Sequence, residues 1–172
     1  MLECCDLEPW HLQTIRRQPS QYLQLGVRSG AISEEEALDL AGEPTTAAFL
    51  RDGVPIGVMG VAETFPGTHG VAWAIFAEGL GSDHLAITRE ARRRLDTSAL
   101  ARIEAIAPCA DAERIIDAMP EIQPDVLLRV MLDRTVRTPE VSWAMLMGFR
   151  PVHVLRKYGM AAESHMLLER IA

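Results

Sequence analysis

The sequence has few cysteines and no metal-binding pattern of them. It contains three, Cys4, Cys5 and Cys109, and an odd number in a chain of 172 residues does not suggest a disulfide framework. Neither a Cys-x-x-Cys nor a His-x-x-x-His spacing occurs, so the sequence does not indicate a zinc site. Three free thiols fit a reducing compartment. Because these ligand spacings are missing, we expect no metal cofactor.

Long apolar runs and an excess of positive charge are also missing. No apolar run approaches the roughly 20 residues that span a bilayer. The first ten residues carry acids where a signal peptide carries bases, which predicts a cytoplasmic protein. The formal net charge is −7, whereas a nucleic-acid backbone is held mainly by clustered lysine and arginine. We expect neither a membrane nor a nucleic acid as a partner.

The overall amino-acid composition is that of a folded domain with an ordinary hydrophobic core. Hydrophobic residues make up 48% and charged residues 24% of the chain. We find no internal repeat and no low-complexity linker. The sequence therefore predicts a single domain over residues 1–172.

Periodicity and turn residues predict a mixed α/β sheet that is mostly antiparallel. Predicted strands are Leu2–Leu7, Thr45–Arg51, Pro55–Thr64, Gly70–Ala77, Ala101–Ala107, Val152–Lys157 and Ser164–Arg170. The first predicted helix begins at Pro9, with apolar contacts from Trp10, Ile15, Tyr22 and Leu25. The other predicted helices are Ser33–Ala41, Asp83–Leu95, Ala112–Met119 and Pro139–Met147. Residues 126–132 fit a strand or a helix, within an inserted segment at about 109–138.

Two short motifs carry a resemblance to a known family. The first is Gly79-Leu80-Gly81 between a predicted strand and a predicted helix. The second is the run from Trp143 to Gly148-Phe149, followed by a predicted β-hairpin. Together with the element order, these motifs resemble the GNAT superfamily of N-acetyltransferases. The second motif is most similar to GNAT-like proteins of tailed phages, including internal virion proteins of T7-like phages.

The resemblance implies acetyl-CoA as cofactor, with its pyrophosphate at the start of the helix that follows the glycine motif. Backbone amides at a helix N-terminus favour an anion, and glycine lets the backbone approach it. The residues implied in this binding are Gly79, Gly81, Ser82 and Asp83 in the loop, and Arg89, Arg92 and Arg93 on the helix. The sequence departs from the family pattern at Phe76, where a Gln or Arg is usual.

The resemblance also implies an amine substrate and groups that move protons. The position of the family's usual tyrosine is Ala144, so Tyr158 is the candidate proton donor. Glu63 is the preferred candidate base, with Glu78, His69 and His84 as the alternatives. Cys109 would need an adjacent base to act as a nucleophile, and the sequence shows none.

A second hypothesis keeps the fold and drops the catalysis. In it the chain is a structural or assembly component of a phage particle, because fold does not imply function. Apolar residues in the segment 109–138 would then form a surface for a protein partner. They are Ile115, Ile116, Met119, Ile122, Val126, Leu127, Leu128 and Met131, and they equally fit a helix packed on the domain's own core.

Overall fold

The structure is a computed structural model that describes residues 1–18, 21, 32–43, 45–109, 111–159 and 161–172. Its strands are β1 (Leu2–Cys5), β2 (Ala47–Arg51), β3 (Val54–Phe65), β4 (His69–Phe76), β5 (Arg102–Pro108), β6 (Arg150–Leu155) and β7 (His165–Ile171). The helices of the described residues are α1 (Pro9–Thr14), α2 (Glu34–Ala41), α3 (Asp83–Asp96), α4 (Ala112–Ala118), α5 (Pro124–Met131) and α6 (Pro139–Leu146).

The strands form one seven-stranded sheet in the order β1-β2-β3-β4-β5-β7-β6. Strands β1 to β4 make an antiparallel meander, and β6 and β7 make an antiparallel hairpin. This mixed sheet with flanking helices confirms the predicted fold class. The chain divides into two compact units, Met1–Ile103 and Glu104–Ala172, which are described separately.

The first unit is built on the long β3–β4 hairpin. Its strands pair from Gly57 opposite Phe76 to Glu63 opposite Gly70. The Asp52-Gly53 turn before it has positive φ at both residues, 52° and 78°, as a type I′ hairpin turn requires. The core of this unit contains fully buried apolar side chains from β2, β3, β4, α1 and α3, namely Phe49, Val58, Ile75, Leu12 and Ile87.

Helix α3 packs on this unit through a stripe of buried residues. Ile87, Ala91 and Leu95 recur every four residues and are all buried, as the sequence pattern predicts. At the far end, Glu90 accepts hydrogen bonds from Arg93 and Arg94, and Arg94 also donates to the carbonyl oxygen of residue 46. The C-terminal half of α3 is therefore tied both to itself and to the sheet.

The second unit contains the predicted insertion, which is helical. Residues 126–132 lie mostly in α5, where Leu127 and Met131 are buried one helical turn apart, so the strand alternative is wrong. Met119 and Val126 keep 48% and 42% of their surface exposed. The segment therefore supplies core contacts and a modest exposed apolar surface at once.

The predicted strand bounds differ from the observed ones by at most two residues at either end. Strand β6 runs from Arg150 to Leu155 rather than to Lys157, because Lys157 adopts a positive φ of 51° in the turn that follows. The first helix ends at Thr14. Tyr22 and Leu25, predicted as apolar contacts beyond it, lie outside the described residues.

None of the described helices combines the length and hydropathy that a membrane span requires. Among the described residues, no three histidine, cysteine or acidic side chains gather as metal ligands would.

Candidate functional site

The glycine motif forms an open loop between β4 and α3. Gly79 and Gly81 have positive φ values of 73° and 55°, a conformation that glycine adopts without strain. A Cβ atom added at either position would meet nothing within 4 Å, so the loop faces open space. The amide groups of Gly81 and Ser82 donate no hydrogen bond to any of the described residues. These amides are available to an anion.

Helix α3 begins at this loop without a side-chain cap. Ser82 occupies the N-cap position in a helical conformation, and its hydroxyl makes no capping hydrogen bond. The next three amides, at Asp83, His84 and Leu85, donate to carbonyl groups three residues back over 3.2–3.4 Å. The loop thus combines the positive end of a helix dipole with uncapped backbone donors, which is an arrangement that favours a phosphate group.

Arg51, which the sequence analysis missed, braces the loop from the end of β2. Its Nε donates to Oδ2 of Asp83 over 2.7 Å, and its Nη2 donates to the carbonyl oxygen of Leu80 over 2.8 Å. Both terminal nitrogens also approach the carbonyl oxygen of Gly79 at 3.3–3.4 Å. The pair neutralises the Asp83 carboxylate, which would otherwise repel an anion at the helix terminus. No local sequence signal predicts a contact across some thirty residues.

The three candidate arginines of α3 are placed differently from one another. Arg93 donates two hydrogen bonds to Glu90, so this guanidinium is engaged within the helix. Arg89 and Arg92 are exposed. At about 1.5 Å per residue they lie about 9 Å and 14 Å along the helix from Asp83. Helical side chains lean towards the N-terminus, so Arg89 is the better placed for a phosphate near the loop.

Phe76, which stands where the family pattern has Gln or Arg, does not point into the loop. Its ring packs against Gly57 of β3. A Cβ atom added to Gly57 would lie only 3.1 Å from the Phe76 Cδ1 atom. Phe76 and Leu80 are each 9% exposed and belong to the core of the first unit. The loop therefore offers backbone groups rather than side chains to a ligand.

Two glutamines, Gln18 and Gln21, make hydrogen bonds to backbone groups at the end of β4 that do not pair with β3. The Phe76 amide donates to Oε1 of Gln21 over 2.8 Å, and Nε2 of Gln21 donates to the Ala74 carbonyl oxygen over 3.4 Å. Gln18 adds a backbone hydrogen bond to the Phe76 carbonyl and a side-chain hydrogen bond to the Ala77 carbonyl, both of 3.0 Å. Gln18 and Gln21 are two further residues near the loop whose contacts the sequence did not predict.

Glu63 lies at the opposite end of the hairpin from the glycine loop. It pairs with Gly70, which is six residues, or about 20 Å of strand, from Phe76. Its Oε2 atom accepts the Gly67 amide over 2.9 Å, and its own amide donates to Oε2 of Glu43 over 3.3 Å. Glu63 therefore braces the β3–β4 turn with one oxygen and stands beside a second carboxylate.

The alternative bases occupy different surroundings. Glu78 is exposed beside the glycine loop, where its charge would oppose an anion. His84 is half-buried in the first turn of α3, and His69 is half-buried with its ring 6.0 Å from that of Phe65. Of these candidates, His69 and Glu63 lie at the end of the hairpin away from the loop.

In the second unit, Tyr158 is 55% exposed in the turn after β6. Its ring stands edge-on to the buried ring of His165, with centroids 5.4 Å apart. Its amide donates to the carbonyl oxygen of Glu163 over 3.0 Å, which fixes the turn. More than half of the Tyr158 surface is therefore open to solvent.

Among the described residues, neither Cys109 nor Cys5 has the adjacent base that a catalytic thiol needs. Burial raises the pKa of the Cys109 thiol from its ordinary 9.0 to about 12, so that group stays protonated. Cys5 lies 3.9 Å from Nε2 of His11, while Nδ1 of His11 accepts the Glu8 amide over 2.9 Å. Because Nδ1 accepts, the neutral ring carries its proton on Nε2 and cannot take one from Cys5.

No protein-family model and no curated protein matches the sequence. Solved structures do match. Ard1 from Thermoplasma volcanium shares 10% sequence identity over 99% of this chain and 97% of its own, with a TM-score of 0.64. A GNAT-family acetyltransferase from Bacillus anthracis shares 11% identity over 99% of this chain and 94% of its own, with a TM-score of 0.58.

A third similar structure contains a ligand. It is an aminoglycoside 6′-N-acetyltransferase in complex with coenzyme A, with 12% identity over 99% of this chain and 96% of its own and a TM-score of 0.59. At such low identities the likeness concerns the backbone. From its first strand to its last, the chain has the fold of the GNAT acetyltransferases.

Proposed function

We propose that this protein is an acetyl-CoA-dependent acyltransferase whose acceptor is an amine. The observation that carries the proposal is the glycine loop, which presents unpaired amides at an uncapped helix terminus. It does so in a fold shared along its whole length with acetyltransferases, one of them in complex with coenzyme A. The fold alone would support a non-catalytic role equally well.

The cofactor would bind with its pyrophosphate against the amides of Gly81 and Ser82. The positive φ at Gly79 and Gly81 allows the close approach, and the α3 dipole favours the negative charge. Asp83 is neutralised by Arg51, so its carboxylate does not cancel that attraction. Arg89 is the proposed phosphate contact from the helix, whereas Arg92 lies a further turn away.

The reaction needs orientation and a place for protons. The amine nitrogen attacks the thioester carbonyl carbon, the carbon–sulfur bond breaks, the amine loses a proton, and the released thiolate gains one. Holding both reactants in line contributes most of the rate, and backbone N–H groups can polarise the carbonyl. We propose Glu63 as the group that attracts the ammonium and accepts its proton through water, and Tyr158 as the candidate donor to the thiolate.

Calorimetric titration with acetyl-CoA tests the cofactor site. We expect wild-type protein to bind, and Gly81→Glu to bind at least 100-fold more weakly because a carboxylate then occupies the anion position. Gly67→Glu is the matched control: Gly67 also has a positive φ, 69°, and open space around it, but it lies in the β3–β4 turn. Equal losses in both variants, or no binding by the wild type at millimolar ligand, would refute the proposal.

Thermal unfolding supplies an independent reading of the same site. Ligand at 100 times its dissociation constant stabilises a protein by about 2.7 kcal/mol. We expect acetyl-CoA to raise the melting temperature of the wild-type protein and of Gly67→Glu by the same amount. In both variants a residue with a Cβ atom must adopt a positive φ, so both ligand-free melting temperatures should fall by a similar amount. Only the stabilisation by acetyl-CoA should differ between them.

A further inference from the structure

Helix α5 has a buried inner face and an apolar outer face. Leu127 and Met131 are buried where the helix packs against β6. Val126 and Val130 lie one turn apart on the outer side of the helix, and Val126 keeps 42% of its surface exposed. Removing apolar surface from water is favourable, so this face is suited to contact with another apolar surface.

The same two valines line an open groove of about 420 Å³. Val136, in the turn after α5, also lines it, and Arg129 and Asp133 complete the lining. A small molecule usually binds where about 70–90% of its surface is buried, and this groove is too open to enclose one. Its apolar walls fit side chains that project from another protein surface.

The charges of this face are balanced. Helix α5 carries one acid, Asp125, and one base, Arg129, which form an ion pair one turn apart on the flank of the valines. Their side chains stay 66% and 74% exposed, so each can contact a second partner. A face with charge of one sign would repel a copy of itself, whereas one charge of each sign is complementary to its own two-fold image.

We propose that this face binds the same face of a second copy of the chain, with the two α5 helices antiparallel about a two-fold axis. The axis passes beside Leu128, in the middle of the helix, so Val126 lies opposite Val130 of the second copy. Arg129 of the second copy is then level with Leu127, about 3 Å along the helix from Asp125. By symmetry the contact forms twice, so the pairing covers the valines of both copies and adds two ion pairs between them.

The dimer should be weak and reversible, and it does not depend on acetyl-CoA binding. Helix α5 has eight residues and a length of about 12 Å, which places the contact at the low end of interface sizes. Analytical ultracentrifugation of the wild-type chain from about 5 to 500 μM should show a monomer–dimer equilibrium with a Kd on the order of 100 μM. A monomer at every concentration would leave this face to a different partner and overturn the proposal.

Charge reversal tests the two-fold contact directly. Arg129→Asp and Asp125→Arg each place like charges beside one another, so each should weaken dimerisation at least about tenfold. Mixed together, the two variants should form a heterodimer, because opposite charges then meet at both contacts. The ion pair within each chain is broken in both variants, so it cannot cause this rescue. Arg114→Asp is the matched control, because Arg114 is an exposed base of α4 that also pairs one turn away, with Asp111.

The outcome that contradicts the pairing is equal loss of dimer in Arg114→Asp and Arg129→Asp, or no heterodimer on mixing. Val126→Glu covers the case in which the charge variants do not fold, because Val126 is already exposed. It should abolish the dimer, whereas Val54→Glu, at a 59% exposed position of the first unit, should leave it intact. A dimer that persists in Val126→Glu lies on another surface and overturns the proposal.

Discussion

Arg51 and Asp83 form an ion pair with a 2.7 Å contact between Nε and Oδ2, and this pair joins the end of β2 to the start of α3. The same guanidinium holds the carbonyl groups of Gly79 and Leu80. One side chain therefore sets both the shape and the charge of the glycine loop.

Arg51→Ala should weaken acetyl-CoA binding by about tenfold or more. The substitution frees two loop carbonyls and leaves the Asp83 carboxylate uncompensated beside the proposed pyrophosphate. Titration calorimetry at two salt concentrations measures the change, and low salt should enlarge it. Unaltered binding would show that the brace is irrelevant to the ligand.

Asp83→Asn should have the opposite effect on affinity. The asparagine oxygen can still accept from Arg51, but the negative charge is gone, so acetyl-CoA should bind severalfold more tightly. Asp125→Asn is the control, because Asp125 pairs with Arg129 on α5 and the net charge of the protein changes equally. Equal gains in the two variants would assign the effect to net charge rather than to the loop.

Glu63→Gln should lower kcat without changing the affinity for acetyl-CoA. The glutamine can still accept the Gly67 amide, so the β3–β4 turn is preserved and only the proton acceptor is lost. The comparison is made with the exposed Glu121→Gln by initial rates across a panel of amines. A normal kcat in Glu63→Gln would remove Glu63 from the mechanism.

Cys109 should react with a thiol reagent more slowly than Cys4 and Cys5. It is buried and its raised pKa of about 12 keeps it protonated, whereas Cys4 is exposed and Cys5 is half-buried. We expect two thiols to react with a disulfide reagent at pH 8 in the native protein and the third only on unfolding. Stability should hold below pH 9 and fall as pH rises towards 12, because the unfolded thiol ionises first. Three equal reaction rates would contradict this.

His11 should make the protein less stable in mild acid. Burial lowers its pKa below the ordinary 6.5, and its Nδ1 can accept the Glu8 amide only while unprotonated. Stability is therefore complete above pH 6.5 and declines below it, by at most about 1.4 kcal/mol per pH unit. In His11→Gln, which keeps an acceptor at the same helix position, urea unfolding should lose this part of the pH dependence.

Local signals predicted much of this fold. The capping residues Ser33 and Glu36 exchange the expected hydrogen bonds of 3.0–3.2 Å at the start of α2. The Asp52-Gly53 turn and the stripe of α3 also act between near neighbours, so the sequence displays them. The segment 126–132 was ambiguous because a short apolar run fits either period.

The contacts that shape the candidate site could not be read in this way. Gln21 reaches Phe76 across 55 residues, and Arg51 reaches Asp83 across 32. Folding alone brings such pairs together, and no spacing rule marks them. The roles of Glu63 and Tyr158, the narrower likeness to phage virion proteins, the cytoplasmic location and a partner at 109–138 stay predictions.

Helix α3 is held unevenly along its length, and this determines where it opens. Its C-terminal half is fastened by Glu90 and Arg94, and the Thr97 hydroxyl donates to the Arg93 carbonyl over 3.1 Å. Its first turn is held to β2 by the Arg51–Asp83 pair, but Ser82 provides no side-chain cap and the backbone contacts there are 3.2–3.4 Å long. Local unfolding should therefore start at Ser82 and stop before Glu90, so that amide exchange falls from one end of the helix to the other. An anion seated on that first turn would act as its missing cap and slow the fraying there.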